Sequence, residues 1–233
     1  MTRGRFAALA ALCGAALLAQ GLWIPAKALL AQQLLERAWG RIRAGEVAVA
    51  PWPWADTWPV ARLEIPGRDV RVLVLEGATG RTLAFGPGRL AGSAAPGAPG
   101  HSVVAGHRDT HFAFLRDLAR GERIRVERAD GTSQSYRVTD LAVVHERDTH
   151  VLADTDVPTL SLVTCFPFDA ALPGGPLRFV VRAEAESSVE AQPTRRRSAR
   201  SERKIVNPQA PTGTASTTQA GAGIRSGQPS DAS

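Results

Sequence analysis

Cys165 stands at the end of an apolar run, Thr159-Leu160-Ser161-Leu162-Val163-Thr164, and is followed by Phe166-Pro167-Phe168. A thiol placed where a buried strand enters a proline-containing loop can reach solvent while the sheet holds its backbone, as a nucleophile requires. Arg178 lies thirteen residues on and opens a second apolar run, Phe179-Val180-Val181. If the two runs pair as strands, the guanidinium returns beside the thiol. There it would lower the thiol pKa or donate hydrogen bonds to a developing oxyanion. His107 ends a third run, Ser102 to Gly106, and Gly106 leaves room for close backbone approach. An imidazole is the natural proton carrier for a leaving amine near neutral pH. A lone cysteine or histidine is more often structural than catalytic. All three residues at strand ends form a much stronger signal.

The elements that would position them are short and β-rich. Strands are expected at Ala61–Ile65, Val70–Leu75, Ser102–Ala105, Arg123–Arg128, Ser133–Leu141, Thr159–Thr164 and Leu177–Arg182. Asp130-Gly131 between the fourth and fifth is a hairpin signal. His111–Leu118 reads as a short helix or turn. Many short strands with few helices predict an all-β fold, a small antiparallel barrel or a sandwich.

The flanks differ in kind. Arg3 and Arg5 precede an apolar stretch, Phe6 to Ile24, long enough to cross a bilayer. Residues 1–25 are therefore expected to form an uncleaved transmembrane signal anchor. Ala26-Lys27-Ala28 offers a cleavage site, but the apolar run exceeds a usual signal-peptide core. Residues 26–59 form a juxtamembrane helix and a Trp/Pro linker. Leu30, Leu34, Leu35, Ala38, Trp39 and Ile42 share one helical face, and Pro51-Trp52-Pro53-Trp54 stops the helix. Residues 60–183 are the expected folded domain. Residues 184–233 lose large apolar residues and gain Arg195-Arg196-Arg197, so a disordered basic tail is expected.

The formal charge of +6 is confined to these arms: residues 1–50 hold six Lys/Arg against two Glu, and residues 51–183 hold fifteen of each sign. A neutral domain argues against a nucleic-acid partner, which would need a basic face on the domain itself. Lys27, Arg37, Arg41 and Arg43 follow the span, so the positive-inside rule does not favour an outward domain. Outward placement rests on the chemistry.

Taken in order, Ala61-Arg62-Leu63-Glu64-Ile65-Pro66, Val74-Leu75-Glu76-Gly77, Gly86-Pro87-Gly88, Val104-Ala105-Gly106-His107-Arg108, Ser161-Leu162-Val163-Thr164-Cys165 and Arg178 resemble the sortase family in order and spacing. Sortases usually carry Thr where this chain has Ser161, which keeps the hydroxyl. The Ala/Arg-rich composition and Thr164-Cys165-Phe166-Pro167-Phe168 look most like Gram-negative (class GN) sortases. The resemblance implies an eight-stranded β-barrel at an inner, plasma membrane, single-pass, with the domain on the periplasmic side. It also implies cleavage of an LPxTG-like C-terminal sorting signal on a protein substrate, through a Cys165 thioester passed to an amine acceptor. Cys165, His107 and Arg178 would be catalytic, with Asp109, Ser161 and Thr164 contributing to substrate binding. No cofactor or metal is implied.

Other readings compete. His101, His107, Asp109 and His111 lie within eleven residues and include a His-x-Asp-x-His pattern, but no second ligand cluster accompanies it. Asp109 instead orients the loop or a substrate amine. His145 and His150 fall in a polar stretch read as a solvated loop bordering a groove. A different cysteine peptidase, or a non-catalytic membrane-tethered β-barrel that binds a partner, also fits a lone thiol. An L,D-transpeptidase would place His-Gly before its cysteine, where this chain has Val163-Thr164.

Overall fold

The computed structural model describes residues 2–153, 155–170, 172 and 174–186. In chain order it contains α1 (Thr2–Arg43), β1 (Pro59–Ile65), β2 (Val70–Glu76), α2 (Gly80–Leu83), β3 (Gly88–Arg89), β4 (His101–Ala105), β5 (Arg123–Arg128), β6 (Ser133–His145), β7 (Thr159–Cys165) and β8 (Leu177–Ala185). Short 3₁₀ segments cover Ala113–Asp117 and Thr149–Leu152.

The eight strands close into a barrel in the order β1-β2-β3-β4-β7-β8-β6-β5. Closure leaves no unpaired sheet edge. Six of the pairings are antiparallel; β2 with β3 and β4 with β7 are parallel. Alternation along each strand fills the barrel: Ala61, Leu63 and Ile65 of β1, Val104 of β4, Ile124 and Val126 of β5, Leu160 and Leu162 of β7 and Val181 of β8 share one core. Phe112, Leu115 and Leu118 of the β4–β5 connection join it. The hairpin expected at Asp130-Gly131 is present. Gly131 takes φ +82°, and the Asp130 carboxylate accepts from the Thr132 amide at 2.9 Å.

Strand ends shift by a residue or two in several places, and three larger differences from expectation matter here. Gly88–Arg89 supplies an eighth strand too short to show periodicity, parallel to β2 and antiparallel to β4. β6 runs on to His145 because β8 pairs along it as far as Leu177. β8 itself extends to Ala185, past the end expected for the domain at residue 183. The basic tail, expected over 184–233, lies outside the described residues from 187 onward.

α1 is one helix of 42 residues passing through Pro25, where a boundary was expected. Proline in a helix interior removes an amide hydrogen bond but need not end the helix. Leu12, Leu17, Leu18, Leu22, Ile24, Leu29 and Leu30 are exposed, and the segment is long and apolar enough to cross a membrane. Further on, the same helix packs on the outside of the barrel. Leu35 and Trp39 are buried against Leu73 and Leu75 of β2, with Trp52, Phe85 and Ala129 around them. β2 is thereby covered on both faces, since Val74 points into the barrel core. Trp52 meets Phe85 edge-on at 4.7 Å, whereas Trp54 is exposed. Ion pairs rim this contact: Arg62 with Glu36 and Glu127, and Arg43 with Glu127 at 3.1 Å. The Arg62 guanidinium lies 5.7 Å from the Trp39 ring centroid.

Trp39→Ala is expected to destabilise the protein by about 3–5 kcal/mol, because a buried aromatic side chain is lost and the rigid barrel wall cannot collapse into the gap. Denaturant unfolding of detergent-solubilised protein, followed by intrinsic fluorescence, measures it. A midpoint unchanged from the parent would show that the helix contributes nothing to barrel stability.

Candidate active site

Strand direction gathers the candidate residues. β4 and β7 are parallel, so their C-terminal ends lie at the same rim of the barrel; β8 is antiparallel to β7, so its N-terminal end lies there too. Register then makes the arrangement specific. Cys165 at the end of β7 lies directly opposite Arg178 in β8. Ala105 of β4 lies beside Val163 of β7, and the Gly106 amide continues the ladder to the Val163 carbonyl at 3.0 Å. His107 therefore leaves the sheet one residue past this bond, at the rim where β7 ends. The thiol is half-buried and the imidazole exposed.

The backbone under His107 is pinned from two sides. The Thr164 hydroxyl, fully buried, donates to the Gly106 carbonyl at 2.7 Å. The His107 carbonyl accepts from the Phe112 amide at 3.0 Å, and Phe112 is sealed in the core. Gly106 is required for this approach: a Cβ there would sit 2.7 Å from the Phe112 ring. His111, on the same turn, has its pKa held below the ordinary histidine value, first by burial and second by the nearby charge of His107.

The Arg178 guanidinium is committed to its own surroundings. It donates to the Glu146 carboxylate at 2.7 Å and to the carbonyls of Gly175 at 2.7 Å and Leu177 at 2.9 Å. Glu146 is itself tied to the base of the same loop, its amide donating to the Pro176 carbonyl at 2.7 Å. This pairing was not foreseen, because residues 145–154 read as a solvated loop. The preceding register match of His145 with Leu177 is what brings Glu146 to Arg178.

A groove with about 580 Å³ of space, open to solvent, runs over the outer face of β4, β7 and β8 up to Arg178. Its floor is apolar, with Val103, Ala105, Val163 and Val180, and one wall is His145, Glu146, Asp148 and Thr149. Val163 and Cys165 alternate onto the same face of β7. The groove therefore leads toward the thiol, although Cys165 does not line it.

The residues expected to assist divide. Asp109 is exposed at this rim, its carboxylate 3.2 Å from the Arg108 Nε. Thr164 holds the His107 loop. Ser161 does not face a substrate: it is fully buried, and its hydroxyl is taken by the His101 Nε2 at 2.8 Å. His101 Nδ1 in turn lies 2.8 Å from the Ala153 carbonyl, so this pair fastens the segment after β6 to the sheet. Among the described residues, no group of three or more His, Cys, Asp or Glu side chains is placed to hold a metal.

Comparison with known proteins agrees with this geometry. A family model described as the sortase domain matches residues 63–186. Sortase D of Bacillus subtilis (strain 168) is 29% identical over 120 residues, which are 51% of this chain and 60% of that protein. The chain thus spans about three fifths of that relative's length. Among solved structures, sortase A from Corynebacterium diphtheriae aligns with a TM-score of 0.51 and 29% identity, covering 57% of this chain and 63% of the other. Sortase C-1 from Actinomyces oris gives 0.50 and 32%, covering 55% and 75%. A Clostridium perfringens sortase D5 transpeptidase gives 0.55 at 23% identity, covering 68% and 99%, a likeness of fold. Since the family model spans more than half of the chain, the chain belongs to the sortase family.

Proposed function

We propose that this protein is a membrane-anchored sortase transpeptidase in which Cys165 is the nucleophile, His107 the proton carrier and Arg178 the oxyanion donor. The observation that carries the reading is the convergence of the three strand ends, with Cys165 and Arg178 cross-strand neighbours and His107 one residue past the β4–β7 ladder. The Cys165 sulfur attacks the carbonyl after Thr in an LPxTG-like C-terminal sorting signal. The C–N bond breaks, and His107 gives its proton to the leaving amine. An amine acceptor then attacks the thioester, loses its proton to His107, and the thiolate leaves. Arg178 stabilises negative charge on the carbonyl oxygen in both steps. For this it must turn from Glu146, an exchange made easy by the half-exposed carboxylate.

The apolar groove floor suits an extended peptide carrying an aliphatic side chain ahead of the scissile bond, with the Glu146–Thr149 wall beside it. The exposed apolar part of α1 supports membrane anchoring, with the barrel on the extracytoplasmic side, where sortases act on surface proteins. The finer grouping with Gram-negative class GN sortases rests on residues 164–168 and composition; the named relatives are sortases D, A and C.

Incubation with a panel of LPxTG-type peptides and an amine is expected to give a mass-detectable acyl adduct on Cys165, absent in Cys165→Ala. A broad panel yielding no adduct would count decisively against transpeptidation. Arg178→Ala should lower kcat about 10²–10³-fold, the usual cost of one oxyanion donor. Arg178→Lys should recover little, because a point charge cannot reproduce the forked donor geometry. Steady-state kinetics of peptide cleavage distinguish the two. A lysine variant with parental kcat would show that only charge is needed.

A further inference from the structure

Arg108 follows the exposed His107 directly, yet its own side chain is only 3% exposed. A buried guanidinium is costly unless its donors are met. Here they are met mainly by backbone. Nη1 donates to the Pro167 carbonyl at 2.6 Å; Nη2 donates to the carbonyls of Ala170 at 2.9 Å and Leu172 at 3.0 Å. Nε donates to the Asp109 carboxylate at 3.2 Å. Those carbonyls all belong to the loop that follows Cys165. A second arginine from the same β4–β5 connection repeats the contact: Arg116 donates to the Phe168 carbonyl at 3.0 Å and lies 5.4 Å from the Phe168 ring centroid. Phe168 is packed on Phe179 at 5.2 Å, so the loop also caps the barrel end.

We infer that Arg108 is a positioning residue that locks the loop after Cys165 to the loop bearing His107, setting the approach of thiol and imidazole. The inference rests on the proposed roles of Cys165 and His107. Sheet hydrogen bonds fix the two residues only as far as the ends of β4 and β7. Beyond that rim, the main-chain hydrogen bonds of His107 stay within its own turn, the Phe166 amide donates to Leu177 at the start of β8, and the Ala170 amide donates to Pro167. Arg108 and Arg116 bridge the two connections, and Arg108 is the nearer to His107. Lysine cannot take its place: one ammonium cannot reach carbonyls on residues 167, 170 and 172 together.

The test uses full-length protein in detergent on a Cys13→Ser background, so that Cys165 is the one thiol alkylated by iodoacetamide. The rate is followed against pH for the parent, His107→Ala, Arg108→Ala and Arg108→Lys, below the melting temperature of each variant. His107→Ala is expected to change the profile, reporting the thiol–imidazole interaction. Arg108→Ala should change it in the same direction and lower kcat for peptide cleavage by about 10–100-fold, as expected for an angstrom-scale misplacement of reacting groups. KM should stay within about threefold, because uniform binding is untouched. Arg108→Lys should resemble Arg108→Ala. Amide hydrogen exchange over residues 166–176 should quicken in both. If His107→Ala leaves the profile unchanged, the pair itself is misread and Arg108 has nothing to position. If His107→Ala changes the profile while folded Arg108→Ala keeps the parental profile and kcat, Arg108 is a stability residue alone and the inference is overturned.

Discussion

The parallel pairing of β4 with β7 is the constraint on which the site depends. In an antiparallel barrel without it, the end of one strand and the end of its neighbour lie at opposite rims, and His107 and Cys165 could not share a rim as adjacent strand ends. A parallel pair costs a long crossover connection, and here residues 106–158 supply it, containing β5, β6 and both 3₁₀ segments. The crossover is also used: its beginning carries His107, Arg108 and Phe112, and its end carries Glu146 and the segment fastened by His101. His107 and Glu146, the partner of Arg178, therefore both come from chain that the parallel pairing obliges to exist.

Two tiers of anchoring follow. Within the sheet, position is set by main-chain ladders, with Thr164 and Gly106 cross-linked by a buried hydroxyl. Above the sheet, position is set by side chains reaching carbonyls. The outer wall of the barrel has a separate duty. Leu73 and Leu75 of β2 face away from the core and are covered by Leu35 and Trp39, so α1 is part of the folded unit from about Ala31 onward. A helix that leaves an apolar stretch and continues without a break into a docked segment gives the barrel a defined attachment rather than a loose tether. With the apolar stretch in a membrane, as proposed, that attachment would favour a fixed orientation of the domain.

Much of this was legible in the sequence, for identifiable reasons. Strands with clear alternation and turn residues at their ends, such as Arg123–Arg128 with Asp130-Gly131 after it, are local signals. That Cys165, His107 and Arg178 stand at strand ends was legible because each ends or begins an apolar run. Gly88–Arg89 was hidden because two residues have no period; its place is set by partners on both sides. Ser161 was assigned to substrate binding by resemblance alone, and its partner His101, sixty residues away in sequence, has no local signal that pairs it with that hydroxyl. Arg108 could not be found by composition at all. Arginine beside an exposed histidine reads as surface, and only the carbonyls of a loop sixty residues away make it a buried residue.

The contrast between Arg108 and Arg178 shows what decides the duty of a guanidinium here. Both donate to carbonyls in or next to the β7–β8 connection, and both have a carboxylate within 3.2 Å. Arg108 is nearly sealed, and its exposed partner Asp109 supplies one bond among four; withdrawing it would leave a buried charge and several unmet acceptors. Arg178 is 27% exposed, its carbonyl partners lie at most three residues away in sequence, and water can replace Glu146. The first arrangement is expensive to undo and so serves position. The second is cheap to undo, which suits the oxyanion role proposed for Arg178. Burial, rather than residue type, separates the two guanidinium groups and the roles proposed for them.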